Sequence, residues 1–125
     1  MTFHYLASPY SKYPLGKEAA YIEACRQMAL LLRAGVHCLS PIAATHGAAT
    51  HGDIDPDISN PMWMELDHAF MEASDGMIVC MMTGWNESVG VAKEIEWFER
   101  AGKPIVYMLP GSVPEAFVPA AEWCL

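Results

Sequence analysis

GMIVCMM, residues 76–82, is the stretch on which the fold turns. It is apolar throughout and shows no polar alternation. A strand with one face in water alternates with period two, so this run fits a central parallel strand covered on both faces. Asp75-Gly76 turns the chain into it. Before that turn, Pro61 can open a helix reaching about Ser74, with Met62, Leu66, Ala69, Phe70 and Ala73 as its apolar stripe. After it come a loop at Gly84–Glu87 and a helix capped by Ser88 that runs to Ala101 and stops at Gly102. Ile105–Leu109 is then a further apolar strand. Towards the N-terminus, Phe3–Ala7 reads as a strand ended by Ser8-Pro9. Gly16–Ala34 reads as a helix with Ala20, Ala24, Met28, Leu31 and Leu32 on one face, and Val36–Leu39 as a strand ended by Ser40-Pro41.

Ala43–Asn60 stands apart. Its periodicity is weak, it holds the near-repeat THGAATHG, and it reads as a long mobile loop of the functional kind. The tail from Pro110 carries only a short piece at Glu115–Val118. The order β-α-β-loop-α-β-α-β predicts an α/β fold with a parallel sheet of four to five strands and helices on both faces. Ligands of such sheets sit beyond the carboxyl ends of the strands. Ala7–Ser11, Ser40–Thr45, Met82–Ser88 and the chain from Pro110 onward are therefore expected to converge on the site.

The chain has 125 residues, 53% hydrophobic and 18% charged. That is one domain, residues 1–125, and excludes a disordered chain. Seven basic residues against fifteen acidic ones give a net charge of −8. This excludes a basic groove tracking phosphates and attraction to an anionic membrane, so neither nucleic acid nor membrane is an expected partner. A single small anion is compatible, because a helix N-terminus binds one without basic side chains. The longest apolar runs fall short of the roughly 18 residues of a membrane span, and MTFHYLASPY lacks the basic start of a signal peptide. Cys25, Cys38, Cys80 and Cys124 show no CxxC spacing. The first three read as small core residues of a cytoplasmic protein. The apolar excess, with nine Met and four Trp, predicts a homodimer or homotetramer.

Chemistry concentrates in GWNESVGVAKEIEWFERAGKPI, residues 84–105. Gly84 lets the chain leave the sheet, Ser88 caps the helix, and Gly90 leaves its first turn open to a ligand. Val91, Ile95 and Phe98 form the buried stripe. Glu94 lies about 60° to its side, either as a solvated charge or as a carboxylate directed into a cleft; spacing does not decide. Glu96–Arg100 and Glu99–Lys103 read as i,i+4 pairs. His46, His51 and Asp53 have ligand chemistry but lie in the loop without fixed geometry, and no metal site is assigned. His46 reads instead as a lid residue touching the ligand. Trp63 and Trp85 flank the expected cleft, with stacking or core packing both open. No basic partner for a phosphate stands out near the site.

YLASPYS, SPIAATHG, ELDHAFMEASDGMIV and SVGVAKEIEWFERAGKPIV, in this order, resemble the nucleoside 2-deoxyribosyltransferase superfamily, and most closely its DUF1937 branch. The resemblance implies a flavodoxin-like three-layer sandwich and a small-molecule nucleoside or nucleotide as partner, with no cofactor. The motif of a small or acidic residue, then x-Gly-x-x-x-Glu, matches Ser88, Gly90 and Glu94, with Glu94 as the nucleophile attacking C1′ of a deoxyribose. The earlier acidic position matches Asp67, which helps protonate the leaving base or positions the group that does. Tyr5 matches the aromatic residue that orients the nucleophile or lines the sugar pocket, and Ser8, Pro9 and Tyr10 form the turn after it. Superfamily members with Ser rather than Asp at the position of Ser88 act on nucleoside 5′-monophosphates, so the resemblance leans toward a phosphorylated substrate. The first turn, SPYS, departs from the Gly- and Arg-containing turn of the monophosphate hydrolases. The rival expectation is a module that binds a nucleotide derivative without turning it over.

Overall fold

The structure is a computed structural model that describes residues 2–57 and 60–118. Four parallel strands form one sheet in the order β2-β1-β3-β4. They are β1 (His4–Ala7), β2 (Cys38–Leu39), β3 (Gly76–Cys80) and β4 (Ile105–Met108). The helices are α1 (Lys17–Arg33), α2 (Pro41–His51), α3 (Pro61–Ala73) and α4 (Val89–Ala101). All five residues of β3 are buried, as its unbroken apolar run requires of a strand covered on both sides. The architecture is an α/β flavodoxin-like sandwich.

Side-chain alternation along the strands divides the core into two layers. Leu6, Ile78, Cys80 and Met108 pack with Leu31, Met28 and Leu30 of α1. Tyr5, Ala7, Met77 and Val79 pack with Met71 of α3 and with Val91 and Phe98 of α4. The odd-numbered face of β1 thus points toward α3 and α4. Strand order reverses between β1 and β3, and in a doubly wound sheet that switch point opens a crevice at the carboxyl ends of the strands.

Four expectations are corrected. The stretch expected as a mobile loop from Ala43 contains α2. Ser40 accepts a hydrogen bond from the Ala43 N–H at 3.1 Å, Pro41 occupies the first turn, and four alanines supply helix propensity. A helix this rich in Ala has no large apolar stripe to reveal it. On α1, Leu32 is exposed and Gln27 is buried. Gln27 turns inward because its Oε1 accepts from the Gly111 N–H at 2.7 Å, tying the chain after β4 to α1. That tie, with Val113 and Phe117 packed on the α1 side of the sheet, takes the segment after Pro110 away from the expected site. Lys103 does not pair with Glu99. Its ammonium donates to the carbonyls of Met71, Glu72 and Ser74, where it satisfies the open end of α3 and complements its dipole. The Glu96–Arg100 pair does form.

Cys38 and Cys80 are buried, Cys25 is half-buried, and all three are free thiols. Cys124 lies outside the described residues.

Candidate active site

The carboxyl ends of β1 and β3 open into a cavity of about 320 Å³, at the small end of the range for ligand pockets. Three helices and two loops make its walls, the second loop contributing Pro56 between α2 and α3. The loop after β1 contributes Ser8, Tyr10 and Lys12. From α2 come Ile42, Thr45, His46 and Ala49, whose spacing of three, one and three residues is one helical face. Trp63, Met64 and Asp67 come from α3, and Ser88, Val89, Gly90, Lys93 and Glu94 from the start of α4.

Glu94 is the deepest acidic group. Its carboxylate accepts a hydrogen bond from the Tyr5 hydroxyl, which reaches it from the odd face of β1. Tyr5 is fully buried and tilted against Phe98, with ring centroids 5.7 Å apart. It stands behind Glu94 and holds it, and it does not itself line the cavity. Burial pushes Glu94 up to about 8; the Tyr5 hydrogen bond opposes this and the nearby Asp67 charge adds to it. Burial pushes Asp67 up to about 6. The same two charges, after burial, hold the Tyr5 phenol well above its ordinary value. Two carboxyl groups that feel one another thus share one apolar hollow.

The start of α4 faces the cavity, with Ser88, Val89 and Gly90 on its wall. The Ser88 hydroxyl oxygen accepts from the Val91 N–H at 3.2 Å, which leaves its proton free to donate into the cavity. Capping and ligand contact are therefore compatible roles for one side chain. Gly84 is required earlier in the loop. Its φ of 92° is left-handed, and a Cβ there would collide with the Lys12 backbone oxygen. That close approach brings the β1 loop, and Lys12 with it, against the α4 loop. Lys12 and Lys93 both reach the cavity wall, so the basic groups that sequence spacing did not reveal are present. No local pattern marks them, because one follows β1 and the other sits inside α4.

A family model described as "Domain of unknown function (DUF1937)" matches residues 2–109. The chain belongs to this family. Among the curated proteins searched, none matches. Every residue lining the DUF1937 cavity falls inside the matched span.

Of the positions expected from the DUF1937 sequence, Ser8, Tyr10, His46, Asp67, Ser88, Gly90 and Glu94 meet at the cavity. Pro9 is buried and does not line it; it shapes the turn that aims Ser8 and Tyr10. His46 is no lid tip. Its two ring nitrogens lie 2.8 Å from the Tyr10 hydroxyl and 2.7 Å from Glu18 Oε2. His51 is exposed at the far end of α2. Among the described residues, no group of three His, Cys, Asp or Glu side chains is placed to hold a metal ion. Trp63 lines the cavity, with its indole N–H donating to the Asp55 carbonyl at 2.7 Å. Trp85 turns away and packs edge-on against Tyr107. No described helix is long and apolar enough to cross a membrane.

Proposed function

We propose that this protein cleaves or transfers the N-glycosidic bond of a nucleoside 5′-monophosphate or nucleoside, with Glu94 as nucleophile and Asp67 assisting. The observation that carries the reading is a half-buried glutamate held by Tyr5 in the same cavity as a second raised carboxyl. Membership of DUF1937 does not by itself assign an activity. The link to the nucleoside 2-deoxyribosyltransferase superfamily rests on the motifs at Tyr5, Asp67 and Ser88–Glu94.

The ionised Glu94 oxygen attacks C1′ while the C1′–N bond breaks and its electron pair leaves with the base. Positive charge that develops on the sugar ring is stabilised by the Glu94 carboxylate in a site of low dielectric. Asp67 protonates the departing base or positions the group that does. Water then attacks C1′ of the glycosyl-enzyme, its hydroxyl staying on the sugar and its proton passing to a carboxylate, and Glu94 is released. The outcome is retention, as in glycosidases with paired carboxylates. A second base in place of water gives transfer.

A phosphate at the start of α4 meets the Ser88 hydroxyl, the open first turn at Gly90, Lys12 and Lys93. Ser8 supports a polar ligand from another side. The residue lines the cavity, and its hydroxyl oxygen is the one buried side-chain polar atom among the described residues without a hydrogen-bond partner. A ligand that pairs with it removes a desolvation cost of about 1–3 kcal/mol.

The test is incubation with a panel of ribo- and deoxyribonucleosides and their 5′-monophosphates, with released base read by chromatography. A 2-fluoro sugar analogue should leave a glycosyl adduct on Glu94 by mass spectrometry, and Glu94→Gln should abolish both signals. Binding of panel members by the parent with no base release and no adduct would establish the non-catalytic binding module instead.

A further inference from the structure

Apart from the Glu94–Asp67 pair, one chain of polar groups crosses the cavity wall. Tyr10 and His46 line the cavity. The Tyr10 hydroxyl lies 2.8 Å from His46 Nδ1, and His46 Nε2 lies 2.7 Å from Glu18 Oε2. The His46 side chain is 11% exposed and that of Glu18 is 71% exposed. The chain therefore runs from solvent to the interior of the site.

Each link is held in place. Tyr21 of α1 stacks on the imidazole, with centroids 4.3 Å apart and planes 17° from parallel. Lys17 places its ammonium 5.4 Å from the Tyr10 ring centroid. The β1 loop, α1 and α2 thus each contribute one member of the chain. A lone cavity-wall histidine needs no such scaffold, and both of its nitrogens would not be committed. An imidazole can take a proton at one nitrogen and release one from the other, and a carboxylate beside it stabilises its protonated form. A phenol at the end of such a chain is equipped to act as a general acid. Burial, and then the Glu18 charge, raise Tyr10 above the ordinary phenol value, which keeps the acid proton in place until it is used.

The position fits the chemistry. In a displacement at C1′, nucleophile and leaving group lie on opposite sides of that carbon. The order β2-β1-β3 sets α2 and α4 on either side of the β1 loop. A sugar bonded from the α4 side by Glu94 therefore directs its base toward Tyr10 and α2.

We propose that Tyr10 is the acid that protonates the departing base, with His46 and Glu18 as the proton relay behind it. This rests on the N-glycosidase reading and names the proton donor that reading leaves open. The Tyr10 O–H bond breaks as a base N–H bond forms. The proton on His46 Nδ1 passes to the Tyr10 oxygen, leaving a neutral imidazole whose Nε2–H stays on the Glu18 carboxylate. The C1′–N electron pair goes to the base, and solvent restores the proton once product has left. Tyr10 is the catalytic residue here; His46 and Glu18 are positioning residues that act through it.

The experiment compares two substrates with the same sugar: the nucleotide of the panel that the parent cleaves fastest, and the corresponding 4-nitrophenyl glycoside, whose nitrophenolate departs without a proton. Tyr10→Phe should lower kcat on the nucleotide by ~10²-fold or more, the range of general acid catalysis, and change kcat on the nitrophenyl glycoside little. His46→Asn and Glu18→Gln should show the same selectivity, with a smaller loss for Glu18→Gln. Thermal unfolding monitors each fold, and Glu18→Gln, at an exposed position, carries the test if His46→Asn does not fold. Equal losses on both substrates would overturn the relay and leave the glycosidase reading standing. No turnover of either substrate by the parent would bring down the glycosidase reading and the relay with it.

Discussion

Glu94 behaves unlike an ordinary glutamate because the sheet and α3 replace the water around it. In the free enzyme kcat/KM should rise with pH through a value near 8, as Glu94 ionises. The Tyr5 hydrogen bond favours the ionised form, so Tyr5→Phe should move that limb upward. The Asp67 charge opposes ionisation, so Asp67→Asn should move it downward. A pH–rate profile of each variant checks both directions, and a limb that stays put in both would remove the coupling. Stability follows the same group. Glu94 holds its proton in the folded chain up to about pH 8, whereas an ordinary glutamate loses it near 4.5. Between those values the folded state binds more protons than the unfolded one, so stability falls as pH rises, by at most about 5 kcal/mol, and the cost is complete above pH 8. Glu94→Gln should therefore be more stable than the parent in urea unfolding at pH 9, and the two should converge at pH 4. Parallel curves at both pH values would contradict the burial of the carboxyl.

At the scale of elements, α4 depends on its two ends. Ser88→Ala removes the cap and should cost about 1 kcal/mol. Ser88→Asp keeps the cap but sets a negative charge where a phosphate would lie. Its melting temperature should match the parent while kcat/KM for a 5′-monophosphate falls more than for the unphosphorylated nucleoside. An equal fall on both would remove Ser88 as a phosphate contact. Gly84→Ala should destabilise by more than about 1 kcal/mol, since it combines a left-handed backbone with a collision against the Lys12 oxygen. Chemical denaturation measures it. The Gly84 turn and the Ser88 cap were legible in the sequence, because Gly-x-x-x-Ser before a periodic run is a local signal, whereas the contact of Gly84 with the Lys12 oxygen was not. The helix α2 was not. Its capping serine and Pro41 were visible, but small residues cannot display a hydrophobic face, and its functional face is a wall of the cavity.

For the molecule as a whole, the apolar excess leaves specific side chains at the surface. Met62 and Met64 of α3, Val89 of α4 and Leu109 after β4 are exposed. Met64 and Val89 also border the cavity, so self-association through this rim would narrow its mouth. Sedimentation should give the mass of two or four chains, and Met62→Lys with Met64→Lys should shift it toward one. A parent that sediments as a single chain would leave the apolar excess unexplained by assembly.

Alternation of apolar runs and turn residues was enough to specify the parallel sheet, three of its four helices and the end of the sheet where a ligand belongs. The reason is that backbone hydrogen bonding and burial act over a few residues at a time, and each leaves a local period in the chain. Other features had no local trace. Glu94 is a charge beside a stripe until Tyr5, 89 residues away, reaches its carboxyl. Lys12 and Lys93 are surface lysines until the β1 loop and α4 meet, and Glu18, His46 and Tyr10 are three separate polar residues until α1, α2 and that loop pack together. Their chemistry depends on distances of a few ångströms between groups remote in the chain, and such distances come into being only when the layers close.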